Sequence, residues 1–170
     1  MKTRELVTMA FLTAIMFVGQ VGMAFLPNIE IVSLLVILYT QLYRKKVFLI
    51  IYLFAFLEGV IYGFGIWWIN YLYIWSILAV VVLLVPKKQP VPVWAVISGI
   101  YGLSYGFLCA IPYYITGGAG AGFSYWVTGI PFDILHCVGN VGVTLVLYKP
   151  VSAILRRLTD LQRTGMKNNF

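Results

Sequence analysis

Four small clusters of basic residues divide this chain into long, almost uncharged runs, and that spacing restricts its fold more than any other feature. Lys2 and Arg4, then Arg44, Lys45 and Lys46, then Lys87 and Lys88, then positions from Lys149 onward hold all 12 lysines and arginines. With 62% hydrophobic and 10% charged residues in a chain of 170, a water-soluble domain could not hide its apolar surface, because small folds leave much of their area exposed. The solvent expected for most of the chain is a bilayer, where one helical span takes about 20 apolar residues.

The breaks predict six helices: Leu6–Leu26, Ile29–Tyr43, Val47–Tyr62, Trp68–Val85, Pro92–Tyr114 and Trp126–Tyr148. They fall at Pro27-Asn28, at the basic triplet 44–46, at Gly63–Gly65, at Pro86–Pro90 and at Gly117–Gly122, where proline lacks a donor and glycine favours turns. The second and third are short for a full crossing and are expected to be tilted little or buried among neighbours. A signal peptide would begin similarly, but no small-residue cleavage site leads into a soluble domain, so the first run is expected to be a retained span. Placing the N-terminus inside puts every basic cluster on one side and leaves the opposite loops without Lys or Arg, the pattern of cytoplasmic loops. The expected architecture is an all-α membrane protein with six transmembrane helices and both termini cytoplasmic. It comprises a transmembrane domain over 1–150 and a tail over 151–170 that is amphipathic at first and disordered from Gln162.

The net charge of +7 does not predict nucleic-acid binding, because the cations are spread between spans as lipid-facing clusters. Cys109 and Cys137 lie in hydrophobic stretches, where free cysteine usually packs. Of the five acids, Glu5 and Asp160 sit among basic neighbours, whereas Glu30, Glu58 and Asp133 lie in or beside apolar spans. A charge in hydrocarbon costs roughly 2.5–3.5 kcal/mol on insertion scales, so such groups face a cavity or a partner. All three fall at the end of the spans opposite the basic clusters. Asn28, Asn70, His136 and Asn140 fall near the same end, with Trp67, Trp68 and Trp126. This combination predicts an outward-facing substrate cavity built from these ten residues. Aromatic rings also gather at membrane interfaces without binding anything, and acids at helix starts can simply complement the dipole.

Asp133 and His136 share a helical face with Asn140 one turn further, but Asp-x-x-His lacks the further ligands of a metal site, and no metal is expected. Ser98 lacks a glycine-containing nucleophile turn and is expected far from His136, so no catalytic residue and no enzymatic activity are predicted. No phosphate-cradling Gly-x-x-x-x-Gly-Lys run is present.

The first helix sets Ala10 and Ala14 four apart, followed on that face by Val18 and Gly22, a spacing that lets another helix approach closely. With the segments Gly59-Val-Ile-Tyr-Gly-Phe-Gly-Ile-Trp-Trp and Gly129-Ile-Pro-Phe-Asp-Ile-Leu-His, residues 4–150 resemble the substrate-binding S component of energy-coupling factor (ECF) vitamin transporters. Val18 departs from the small residue that the family prefers there, and Gly22 restores it. The resemblance implies high-affinity uptake of a vitamin or vitamin precursor across a bacterial plasma membrane, by toppling of the subunit. It also implies docking of the Ala10–Gly22 face on a transmembrane T subunit. ATP would be used only by two partner ATPase subunits, with no cofactor in this chain.

The candidate cavity holds acids and no cation, which favours a neutral or cationic ligand with hydrogen-bond donors and a flat ring. Hydroxymethylpyrimidine, thiamine and pyridoxine-like compounds fit best, and riboflavin, queuosine precursors and cobalamin remain compatible. Two other classes stay open: an ion-coupled carrier or channel using the intramembrane acids, and a structural membrane subunit.

Overall fold

The computed structural model describes residues 3–167, with side chains through 159. Lys2 and the final residues 168–170 lie outside that range, as do the side chains of Asp160, Arg163 and Lys167. Every regular element among the described residues is helical, and three helical stretches are long and apolar enough to cross a membrane: Thr3–Met23, Ile66–Leu84 and Val91–Thr159.

Helix α1 (Thr3–Met23) buries Met9, Leu12, Thr13 and Met16, a single face at helical spacing. Helix α2 (Val32–Tyr43) has only 12 residues, yet Val32 through Thr40 are all buried. It therefore forms the centre of the molecule, wrapped by the others, as its shortness and lack of a polar face predict. A 3-10 turn over Arg44–Lys46 leads into α3 (Val47–Tyr62), where the start and end coincide with the sequence expectation.

The expected fourth helix is instead two. Helix α4 (Ile66–Tyr71) and helix α5 (Ile74–Leu84) are separated at Leu72 and Tyr73. The Tyr73 N–H bonds the Asn70 carbonyl at 3.1 Å, and the Tyr73 hydroxyl donates to the Leu108 carbonyl at 2.6 Å and lies 2.8 Å from Asn70 Oδ1. A side chain anchored across the fold at the junction outweighs the apolar continuity that suggested one helix.

The last helical stretch, Val91–Lys167, is divided at Gly118 (φ 77°, ψ −179°) into α6 (91–117) and α7 (119–167). That backbone conformation is open essentially to glycine alone. The loop expected over Gly117–Gly122 is thus a single residue, since glycines flanked by good helix formers cost only about 1 kcal/mol each and the helices continue through them. Helix α7 also runs through Pro131 and Pro150 and on to Lys167, so the tail expected to be disordered from Gln162 is helical up to that residue.

Helices α6 and α7 fold back antiparallel. Tyr113 stacks on Tyr125 at 4.1 Å, Gly106 meets Asp133, and the Gly102 α-carbon faces the His136 backbone, 2.9 Å from where a β-carbon would sit. At the far end of the molecule, Lys46 pairs with Glu5, Tyr43 contacts Thr159, and Tyr148 donates to Gln41. These ties gather the α1 start, the 44–46 turn and residues 148–159 into one basic end. The connections 24–31 and 63–65, with Gly118, form the other.

Candidate functional site

At the end opposite the basic residues, the start of α2 carries Glu30, which is 9% exposed. Its Oε2 accepts the Ser33 backbone N–H at 2.9 Å, and its Oε1 accepts the Ser33 hydroxyl. The carboxylate so satisfies an amide that the helix start leaves unpaired. His136 Nε2 lies 3.2 Å from the same Oε1. One turn along α7, the Asn140 amide donates at 3.2 Å to both Ser33 Oγ and the Ser98 carbonyl. Glu30, Ser33, His136, Asn140 and Ser98 thereby make one buried polar network joining α2, α6 and α7. Thr144 and Tyr148 continue the buried polar stripe on α7.

The Ser98 carbonyl accepts from Asn140, one helical turn from His136 on α7. The imidazole nevertheless engages Glu30, and the Ser98 hydroxyl has no partner among the described residues.

A cavity of about 320 Å³ adjoins this network, lined by Asn28, Tyr105, Cys109, Tyr125, Phe132 and Asp133, among others. Asp133 is 4% exposed. Its Oδ1 accepts the Gly106 N–H at 2.8 Å, whereas Oδ2 has no hydrogen-bond partner among the described residues. A β-carbon on residue 106 would fall within 3 Å of that carboxylate, so glycine is what seats the acid against α6. Tyr105 closes the inner wall, its ring edge-on to His136 at 4.7 Å.

A second cavity of about 270 Å³ is lined by Gln20, Ala24, Glu58, Tyr62 and Trp67. Glu58 is 3% exposed, and neither its Oε1 nor Gln20 Oε1 has a partner among the described residues. Gln20 donates to the Tyr71 hydroxyl at 3.4 Å. A continuous row of aromatic contacts leads from one cavity to the other: Trp67 on Tyr71 at 5.3 Å, Tyr71 on Trp75 at 5.7 Å, Trp75 on Tyr105 at 5.9 Å, then His136.

Of the ten residues singled out from the sequence, Glu30, His136 and Asn140 meet in the network, Asn28 and Asp133 line the adjoining cavity, and Glu58 and Trp67 line the second. Trp68, Asn70 and Trp126 line neither. The Trp68 indole N–H is spent on the Ala55 carbonyl at 2.7 Å, and Asn70 is held by Tyr73. Trp126 packs edge-on to Phe107 at 5.4 Å and against Phe123. Sequence reasoning missed Ser33, Tyr105, Gln20 and the glycines. A signal for two of these was present: Ser33 lies three residues after Glu30 at a helix start, and Gly99, Gly102 and Gly106 recur on one helical face.

Ala10, Ala14, Val18 and Gly22 form an exposed stripe on α1. No three His, Cys, Asp or Glu side chains among the described residues are grouped as metal ligands would be. Comparison with family models, with curated proteins and with solved structures gives no match.

Proposed function

We propose that this chain crosses a bacterial plasma membrane six times, with both termini in the cytoplasm, and serves as the substrate-binding subunit of an ECF-type importer for a vitamin or vitamin precursor. The observation that carries this reading is a pair of buried carboxylates, Asp133 and Glu58, each lining a cavity at the end away from the basic residues and each with one buried oxygen that has no partner among the described residues. Buried polar groups are nearly always paired, so two orphan acceptors beside cavities linked by aromatic rings suit a donor-bearing ligand that completes them. The clustering of Arg44–Lys46 with residues around 159 at one end supports a cytoplasmic placement for that end.

The ligand class is neutral or cationic with a flat ring, as in hydroxymethylpyrimidine, thiamine or pyridoxine-like compounds. Its amino or hydroxyl donors would reach Asp133 Oδ2, and Tyr105 and Tyr125 would supply ring faces. The exposed Ala10–Gly22 stripe is the proposed seat of the T subunit, which couples the chain to two ATPases. Native mass spectrometry of the gently purified protein tests the reading. One vitamin-sized molecule per chain, lost in Asp133→Asn, is the expected result; an anionic vitamin as sole ligand would overturn the charge argument.

A second reading draws on the buried stripe Asp133, His136, Asn140, Thr144 and Tyr148 on α7. Consecutive polar turns of this kind mark ion pathways in membrane helices. An ion-coupled carrier would conduct protons in liposomes without any partner protein, which the importer subunit would not.

A further inference from the structure

Gln20 and Ala24, one turn apart at the end of α1, share the walls of the 270 Å³ cavity with Glu58 and Tyr62, one turn apart at the end of α3, and with Trp67 of α4. The turn at Gly63 brings α4 back onto α3, where the Trp68 indole bonds the Ala55 carbonyl and the Phe64 ring lies against Gly59. Glu58 Oε1 is enclosed without a partner, and no described residue bonds Oε2 either. Gln20 spends its amide N–H on the Tyr71 hydroxyl at 3.4 Å, which leaves its carbonyl Oε1 unpartnered among the described residues.

The chain supplies no counter-charge for this acid. None of the 12 lysines and arginines falls between positions 5 and 43 or between 47 and 86, and the single histidine is held by Glu30. Sign therefore excludes an anionic occupant. A neutral hydroxyl would leave the carboxylate charge buried and uncompensated, which is costly in apolar surroundings. A hard metal ion takes about six or more oxygens, whereas the Glu58 carboxylate and the Gln20 amide together offer three. A primary ammonium carries three N–H donors and is drawn to the faces of rings such as Trp67 and Tyr62, so it matches both the acceptors and the walls.

We propose that this cavity binds the primary ammonium group of a small ring-bearing amine. The inference rests on the importer reading only for the premise that Glu58 meets a ligand, and it specifies the charge of that ligand.

The test is titration calorimetry of the purified chain in detergent at neutral pH with aminomethylpyridine and hydroxymethylpyridine, which differ only in an ammonium or a hydroxyl on the same arm. The amine should bind about tenfold tighter, as one hydrogen bond to a charged group gives. Glu58→Gln should erase that preference. Gln20→Met keeps the acid and should weaken the amine roughly threefold while leaving the alcohol unchanged, which tests the site even where Glu58→Gln fails to fold. Equal affinity for the two probes, no binding of the amine, or a preference that survives both substitutions would overturn the proposal. A preference lost in Asp133→Asn but kept in Glu58→Gln would also overturn it, by moving the ammonium to the other cavity. Preference for the amine in a chain that carries no vitamin-sized molecule would count against the importer reading alone.

Discussion

Glu30 and Glu58 are both buried glutamates at the same end of the fold, yet their surroundings differ completely. Glu30 is met by donors from Ser33 and by His136, and Asn140 ties Ser33 to the Ser98 carbonyl. Glu58 faces a cavity with one oxygen unmatched. The first arrangement fastens three helices together; the second leaves a requirement that no described residue meets. Burial of an acid is thus no guide to its role until its partners are counted. Asp133 combines both features, one oxygen tied to Gly106 and the other buried without a partner among the described residues.

The contrast breaks most visibly at Glu30. Glu30→Ala strands Ser33 and His136 and should cost about 2 kcal/mol, toward the upper end of what hydrogen bonds between membrane helices contribute. Denaturant-dependent labelling of the buried Cys109 thiol would read the loss. A cost indistinguishable from zero would remove the network from the fold's supports. Gly106→Ala should come next, at roughly 1–2 kcal/mol, because its methyl meets the Asp133 carboxylate and must push α7 outward. Ligand binding should weaken with it, and a variant that binds normally would show the acid to be mobile.

Glu58→Gln sharpens the other side of the comparison. Stability should stay within about 0.5 kcal/mol while affinity for a donor-bearing ligand falls roughly tenfold, measured by titration calorimetry in detergent. Equal stability with unchanged affinity would leave the Glu58 cavity without a ligand role. The smallest effect belongs to Glu5→Gln at the basic end, where the partly exposed contact with Lys46 should contribute less than about 1 kcal/mol.

What could be read from the sequence follows from how local each cause is. The ends of α3 were legible because the basic triplet and Gly63 stop it on either side. The Gly118 reversal was not, since six residues with four glycines look like a loop, and the structure turns at Gly118 alone with Tyr113 stacked on Tyr125 across the reversal. The division of α4 from α5 depends on Tyr73 reaching Leu108, 35 residues away, which no local pattern encodes. Within the candidate site, the acids were visible because charge is conspicuous in apolar sequence. Ser33 and Tyr105 were not, because a serine and a tyrosine in such helices are ordinary, and only the neighbours brought by α7 give them a task. Trp68 and Trp126 were attractive as rings, but an indole is equally useful as packing.

The polar network also orders events in time. Its bonds between α2 and α7 join residues 106 and 107 positions apart, whereas α6 and α7 meet across a single residue and can pair as soon as both exist. During synthesis, which delivers the N-terminal helices first, Glu30 and Ser33 must wait without their partners while four further helices are made. The central helix is thus assembled early but locked late, and quality control that senses an unpaired acid would have the whole interval in which to act.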